Sequence, residues 1–530
     1  MSDATVKLRP RGERAMIACH DPATGAHLGD VPEATPEEVR DAIARARAAQ
    51  HDWALTSFAE RRRVLRRLLE YILDHDEALC EAICQDAGKT MHNAMLGEIW
   101  PICEKLRWTI AEGERHLLPE PVSSGLLKHK RARIEFPPLG VIGVICPWNF
   151  PLQNILGPTI PALFAGNAVV VKVSEWVAWS TARFQEMLRQ VFTDCGHSPQ
   201  LVQLINGGGE AGAALVAGGV DKLIFTGSVA NGRKVIAESA RSLTPVVLEL
   251  GGKDPMIVCD DAALDQAAHA AVSGAFIASG QMCLAAERVL VNDAVYEPFI
   301  ERVVAIAAEV KQGPPLAGAW VDVGAMTMPR QVEIVAALVD DAIAHGARAL
   351  CGGKPVPGDG SFFPPTVLVD VTPEMRIFHE ETFGPVVAVT RVSDDDEALR
   401  LANGTGFGLS STVFTRSAER GRELAGQLRA GSTVINDWAL MYMVNGLPFG
   451  GVGDSGFGRL NGREGLRACT NIKAVLEDRL PVHRPVKLFP GAPGDYASTR
   501  EAIQLLYRRG LSGRLSALGQ LARGLWRRRR

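Results

Sequence analysis

The chain has 530 residues, 47% of them hydrophobic, with 57 Lys and Arg against 60 Asp and Glu, which is enough length and apolar content for two or three domains with cores of their own. Ten cysteines in so long a chain do not make a disulfide framework, and with neither paired CxxC sets nor His clusters at ligand spacing no metal site is expected. The charge is uneven: residues 481–530 carry eleven Lys and Arg against two acids, about +9, and the remainder is near −12, so the bulk of the chain is not a nucleic-acid binder. Residues 1–7 have no apolar stretch of signal-peptide length, and no later run reaches the roughly eighteen apolar residues of a spanning helix. A cytoplasmic address is expected.

The first hundred residues read as helical. Thr35 with Glu38 and Ser57 with Glu60 have capping-box spacing, in which a hydroxyl and a carboxylate satisfy each other's orphan amides. Behind the second box, Val64, Leu65, Leu68, Leu69, Ile72 and Leu73 recur on one helical face. Cys80 and Cys84 share a face farther on and read as small core residues. From residue 140 the pattern changes to short apolar runs at 141–145, 168–171, 201–205, 223–225 and 245–248, separated by helical stretches. Runs apolar throughout suit parallel strands covered on both faces, so the region predicts a doubly wound α/β sheet. A second α/β region runs from Met256 to about residue 445, and Gly251-Gly252 reads as the crossing between the two domains.

Three segments carry chemistry. Ser279-Gly280-Gln281-Met282-Cys283-Leu284 offers a thiol. Leu248-Glu249-Leu250-Gly251-Gly252-Lys253 offers a carboxylate at the end of an apolar run, where desolvation raises its pKa toward the range of a general base. Cys146-Pro147-Trp148-Asn149-Phe150-Pro151 offers a neutral amide donor between two prolines, suited to a developing oxyanion. An ordinary thiol is mostly protonated at neutral pH while the thiolate is the species that attacks, so Cys283 needs help. The small residues of 273–280 permit close backbone approach, and a helix around Cys283 is expected to supply amide dipoles. Together the three spell thiol-mediated acyl chemistry. For a dinucleotide, Gly207-Gly208-Gly209-Glu210-Ala211-Gly212 matches G-x-G-x-x-G between a strand and a helical stretch.

These segments, in this order, resemble the aldehyde dehydrogenase superfamily. The likeness extends to Lys172-Val173-Ser174-Glu175, Phe225-Thr226-Gly227-Ser228, Glu380-Glu381-Thr382-Phe383-Gly384-Pro385 and Leu447-Pro448-Phe449-Gly450-Gly451, covering roughly residues 20 to 480. It implies a Rossmann-type dinucleotide-binding domain over 20–127 and 140–250, a catalytic domain over 251–445, oligomerisation elements at 128–139 and 465–480, and a basic extension at 481–530. It implies Cys283 as nucleophile, Glu249 as base for thioester hydrolysis, and Asn149 with the Cys283 backbone amide as oxyanion hole. Cofactor contacts fall on Trp148, Lys172, Glu175, Gly209, Gly227, Ser228, Gly232, Leu250, Glu381 and Phe383. The pyrophosphate belongs near 227–232, with Gly209 near the adenine. Lys172 and Glu175 resemble the pair that binds the adenosine ribose, and a carboxylate there repels a 2′-phosphate; NAD is expected, with NADP as the alternative. Members are usually homodimers or homotetramers, their protruding hairpin, here residues 128–136 with a companion strand near 468–476, pairing with a neighbouring subunit.

Many relatives carry lysine where Gly453 stands. The apolar wall expected near Phe150, Leu152, Met282 and Leu284, with no arginine placed for a carboxylate, resembles the branch that takes fatty and aromatic aldehydes. A medium-chain aliphatic or aromatic aldehyde is therefore the expected substrate. A CoA-acylating enzyme and a non-catalytic relative are the rival readings. The first is disfavoured because such relatives generally lack the glutamate at Glu249, the second because Cys283, Glu249 and Asn149 are all present. The tail, with Pro481, Pro485, Pro490 and Pro493 followed by Leu511, Leu515, Leu518, Ala522 and Leu525 at helical spacing and four closing arginines, reads as a linker and a basic helix. Membrane contact, inter-subunit contact and a solubilising role stay open for it.

Overall fold

Strand Val141–Ile145 is buried along its whole length, as is its neighbour Ala168–Val173, and β-branched residues that bury both faces leave little choice but the middle of a parallel sheet. The structure, a computed structural model, describes residues 14–480 and 488–509 and five single positions between 515 and 522. It divides into one unit of residues 1–120 and 134–474 and a second of 121–133 and 475–530.

The first unit holds two large sheets. In one, Val141–Ile145 lies between Ala168–Val173, which leads out to Val202–Asn206, and Lys222–Gly227, which leads out to Val246–Leu250; these five run parallel, and the short antiparallel strand Gly456–Phe457 closes the edge beside Val246–Leu250. The chain thus winds outward in both directions from one central strand, which is the doubly wound arrangement, and its switch point opens a crevice at the carboxyl ends of the strands. The second sheet has seven strands, with Pro255–Val258, Arg288–Asn292 and Val386–Val392 near its centre and Arg348–Cys351 as its antiparallel edge. Gly251 and Gly252 join the last parallel strand of the first sheet to Pro255–Val258 of the second.

The helical reading of the first hundred residues misses an antiparallel hairpin, Met16–His20 with His27–Pro32. Its strands bury almost nothing, so no apolar periodicity marks them, but the turn chemistry is written out: the Asp21 carboxylate accepts from the Ala23 amide at 2.8 Å and the Gly25 amide donates to the Asp21 carbonyl at 2.8 Å. The capping box at Thr35 is complete, Glu38 N–H to Thr35 Oγ1 at 3.2 Å and Thr35 N–H to Glu38 Oε2 at 3.0 Å. The one at Ser57 is half of a box. Its hydroxyl accepts from Glu60 N–H at 3.2 Å, but the Glu60 carboxylate binds Arg63 and His197 rather than turning back.

Helix Pro151–Phe164 is buried at nearly every position and carries Pro158 and Pro161 in its interior. Proline has no N–H, so the carbonyls four residues earlier, of Asn154 and Gly157, lose their helical donors. Two side chains replace them: the Cys146 thiol donates to the Asn154 carbonyl at 3.0 Å and the Lys105 ammonium to the Gly157 carbonyl at 3.1 Å.

Most of a three-stranded sheet of Glu120–Val122, Lys130–Glu135 and Lys473–Asp478, with Lys130–Glu135 in the middle, falls in the second unit, as does the helix Asp495–Tyr507. Ion pairs Lys130–Asp478 at 2.6 Å and Arg133–Glu477 at 2.9 Å join the two longer strands. The expected companion at 468–476 is displaced, because residues 462–468 continue as a helix and the strand begins at Lys473. Pro481, Pro485, Leu511, Leu525 and the closing arginines lie outside the described residues. Among the described residues no helix is long and apolar enough to cross a membrane.

Replacing Lys105 with Met leaves the Gly157 carbonyl buried and unpaired. The expected loss of stability is about 1–3 kcal/mol, read as a lowered urea midpoint with Lys105→Arg as the control that retains a donor.

Candidate active site

At the switch point of the first sheet, a cavity of 1240 Å³ runs between the carboxyl ends of its strands and the loops of the second sheet. Cys283, Glu249 and Asn149 line it, together with Trp148, Lys172, Glu175, Gly209, Gly227, Ser228, Glu381 and Phe383. Gly232 and Leu250 do not. They pack against each other beneath the wall, where the inward face of the helix Val229–Ser239 meets the strand Val246–Leu250, so the contribution expected of them to the cofactor surface is a supporting one.

Cys283 follows a turn, not the expected helix. The helix Leu264–Phe276 ends before it, and Ala278, Ser279 and Gly280 take positive φ of 48, 57 and 71° in succession. Two consecutive non-glycine residues in that region store strain that only surrounding contacts can hold. Here the Ser279 hydroxyl donates to the Gly324 carbonyl at 3.0 Å, the Ala278 amide to Asn93 Oδ1 at 2.8 Å, and the Thr327 amide to Gln281 Oε1 at 2.9 Å. Gly280 is required for a second reason: a Cβ there would sit 2.1 Å from the Gly384 carbonyl oxygen. Gly252 serves the same loop, since a Cβ on it would lie 2.5 Å from the carbonyl oxygen of Cys283. The thiol is thus set by a strained, heavily anchored backbone, and no helix dipole supports its anion.

Burial pushes the Cys283 thiol well above its ordinary range, with Glu249 and Asp254 adding to the effect. Glu249 is 3% exposed at the end of strand Val246–Leu250, and burial lifts its carboxyl to about 7, with Cys283 alongside acting the other way. Its Oε1 has no hydrogen-bond partner. Asn149 is held from three sides. Its side-chain amide donates to the Gln281 carbonyl at 2.9 Å, its Oδ1 accepts from Asn154 at 3.1 Å, and its backbone carbonyl accepts from the Lys89 ammonium at 2.7 Å. Lys89 in turn pairs with Glu98 at 2.8 Å, whose other oxygen accepts the Leu152 and Gln153 amides at 2.7 and 3.0 Å at the start of the proline-bearing helix. Sequence reading missed this buried pair, although a lysine and a glutamate inside an otherwise apolar packing region must find partners.

A second missed network fixes the other wall. Glu287 accepts the amides of Thr382 and Phe383 at 2.7 and 2.9 Å and the Lys253 ammonium at 2.5 Å. It thereby holds Phe383 at φ 49°, edge-on to Trp148 with ring centroids 5.5 Å apart. Glu381 accepts the Gly252 amide at 3.0 Å, and burial, then Glu287, raise its carboxyl to about 8. Lys172 lies 3.7 Å from Glu175. Tyr442, also unforeseen, lines the cavity, accepts a hydrogen bond from Gln153 and stands edge-on to Phe449. No group of three or more His, Cys, Asp or Glu side chains that could hold a metal occurs among the described residues.

The sequence matches the aldehyde dehydrogenase family model over residues 9–475. The chain belongs to the aldehyde dehydrogenase family. It is 40% identical over 469 residues to an aldehyde dehydrogenase-like protein of Schizosaccharomyces pombe, covering 87% of this chain and 90% of the relative. It is 37% identical over 493 residues to the 4,4'-diapolycopene aldehyde oxidase of Methylomonas sp., covering 93% and 91%. Among solved structures, the NAD+ complex of an aldehyde dehydrogenase from Bacillus cereus superposes with a TM-score of 0.83 at 32% identity, covering 88% of this chain and 94% of that one. This aldehyde dehydrogenase is accordingly an oxidoreductase that acts on aldehydes.

In it, the strained turn is the feature most exposed to single changes. Gly280→Ala is expected to displace the thiol and slow alkylation of Cys283 by iodoacetamide on the order of 10²-fold, whereas Gly209→Ala, where a Cβ meets nothing within 4 Å, leaves that rate unchanged. Mass spectrometry of the Cys283 peptide checks both.

Proposed function

We propose that the site oxidises a medium-chain aliphatic or aromatic aldehyde to its carboxylic acid with NAD, through a thiohemiacetal and then a thioester on Cys283. One observation carries the reading: a carboxyl lifted to about 7 by burial shares a pocket with a thiol and with an amide donor fixed from three sides. The ionised Glu249 carboxylate takes the thiol proton as sulfur bonds to the carbonyl carbon. Asn149, whose side-chain nitrogen carries a second hydrogen beyond the one given to Gln281, donates to the oxygen on which charge collects. After the aldehyde hydrogen has left, the acyl group remains on sulfur. Glu249, having released its first proton, takes another from the water that cleaves the thioester and frees the acid.

The dinucleotide, when bound, supplies the hydride acceptor that makes the reaction an oxidation. The wall suits such a group. Helices Gly209–Ala217 and Val229–Ser239 begin at the cavity; the N-terminus of the second suits a phosphate, and Gly209 leaves open approach at the adenine end. Glu175 and Lys172 would hold a ribose, Glu381 and Phe383 the nicotinamide end. The carboxylate at Glu175 favours NAD over NADP. For the substrate, Phe150, Met282, Leu284 and Phe449 form an apolar wall, and Trp100 and Leu440 line the cavity while staying 50 and 52% exposed, which adds apolar surface at its mouth beside the exposed Lys234 and Arg330. The relative from Methylomonas, named for an aldehyde of diapolycopene, is consistent with an apolar substrate. We assign the protein to the cytoplasm, where its ten free cysteines suit a reducing compartment, and to a homodimer or homotetramer assembled through the sheet of the second unit.

Steady-state NADH production from a panel of aldehydes tests the reading. Hexanal and benzaldehyde are expected to exceed succinic semialdehyde, and equal or faster turnover of the semialdehyde rejects the substrate class. Cys283→Ala abolishes turnover, and Asn149→Ala lowers kcat by about 10²–10³. A requirement for coenzyme A would assign the acylating reaction instead.

The pH profile has a definite sign. Only ionised Glu249 accepts protons, so kcat rises as pH increases through about 7, and Glu249→Gln removes that limb together with most of the rate. A flat wild-type profile between pH 6 and 8 would count against Glu249 as the base.

A further inference from the structure

The helix Asp495–Tyr507 buries none of its residues, and its apolar side faces outward. Tyr496, Ile503, Leu506 and Tyr507 are exposed at 82, 51, 45 and 69%; with Thr499 they share one side of the helix at helical spacing. Asp495, Ser498, Glu501 and Gln504, with Ala502 and Leu505, are partly covered on the other side. A surface helix of a water-soluble protein keeps residues as bulky as Tyr496, Ile503, Leu506 and Tyr507 on its covered side. Leu488 and Phe489, just ahead of it, add two more apolar side chains at 69 and 88% exposure. Arg500 is exposed at the border of the apolar side, and eleven Lys and Arg against two acids occupy residues 481–530. At thirteen residues the helix is about 20 Å long, too short to span a bilayer and well suited to lying in its surface.

We propose that the helix Asp495–Tyr507, with Leu488 and Phe489 ahead of it, binds the surface of an anionic lipid bilayer, Tyr496, Ile503, Leu506, Tyr507 and Phe489 entering the headgroup boundary while the net positive charge of the 481–530 sequence is attracted to lipid phosphates. Charge and polarity together choose this occupant. Self-pairing of the helix would bring two strongly basic segments together, whereas an anionic membrane attracts each of them. Nucleic acid would satisfy the arginines but offers nothing to an outward apolar side, and interfacial helices combine these two features. Bilayer-dissolved aldehydes would then meet the enzyme where they reside.

The test is sedimentation of the full chain with phosphatidylcholine vesicles, with and without phosphatidylglycerol, in the absence of aldehyde, so that it reads independently of the catalytic reading. Binding to the anionic vesicles is expected to exceed binding to the neutral ones by on the order of tenfold or more and to fall as salt is raised. Ile503→Ser combined with Leu506→Ser lowers it by on the order of tenfold. Replacing Arg527, Arg528, Arg529 and Arg530 with Gln lowers it by on the order of 10²-fold, a change that leaves the helix itself untouched. NADH production from a water-soluble aldehyde is unchanged in both variants. Equal binding to the two vesicle types, no binding, or binding unaffected by both variants overturns the proposal. So does a light-scattering mass that falls in the variants while the parent ignores vesicles, which assigns this side of the helix to a second copy.

Discussion

Three successive residues in left-handed backbone, Ala278, Ser279 and Gly280, decide where the sulfur of Cys283 stands, and a set of buried hydrogen bonds holds that turn. Asn93 reaches it from the first-sheet side of the unit, Gly324, Ala325 and Thr327 from the second, and Gly384 approaches so closely that only glycine fits at 280. Strain of this kind costs on the order of 1–3 kcal/mol per residue and persists only where its surroundings over-determine it. The return is a thiol whose backbone carbonyl lies close against Gly252, with the Gln281 carbonyl two residues earlier orienting Asn149. Nucleophile and oxyanion donor are therefore positioned by one short segment.

The same burial that positions the groups keeps the thiol quiet. Cys283 and Glu249 are each pushed toward their neutral forms, and they are close enough that ionising one opposes ionising the other. A permanently charged thiolate would be open to oxidation and to any passing electrophile. In the proposed reaction, with the carboxyl at about 7, proton transfer from sulfur is instead tied to the arrival of a carbonyl group and a donor for its oxygen, since charge then has somewhere to go.

Much of this was legible in the sequence, for physical reasons that differ from element to element. The strands of the first sheet announce themselves because burial on both faces demands uninterrupted β-branched runs, and 141–145 is found to the residue. The hairpin at 16–32 was missed because an exposed ribbon imposes no such demand, leaving only the turn residues from Asp21 to Gly25 as a signal. Glu249 could be read as desolvated from Val246-Val247-Leu248 alone. The conformation around Cys283 could not: small residues permit a helix and a left-handed turn alike, and Asn93, Gly324 and Gly384, which choose between them, are distant in sequence. Lys89 with Glu98 and Lys253 with Glu287 were hidden for the same reason, each member looking like an ordinary surface charge until its partner was placed.

Those buried pairs also bear on what the cavity accepts. A wall with cations in it would invite an acidic substrate, and Lys234 and Arg330 line it in the open, yet three buried ammonium groups in or beside it are already committed. Lys172 faces Glu175, Lys89 faces Glu98 and the Asn149 carbonyl, and Lys105 serves the Gly157 carbonyl that Pro161 leaves without a donor. Burial further lowers Lys105 to about 8, weakening it as a fixed charge near neutral pH. To recruit it, a substrate carboxylate would have to shed its own hydration and strip a backbone carbonyl of its partner, each an unfavourable step. An apolar aldehyde meets no such competition. In the proposed reaction it would lie against Phe150, Leu284 and Phe449 and leave these hydrogen bonds in place, so Pro161, by engaging Lys105 through the Gly157 carbonyl, favours the apolar substrate class proposed above.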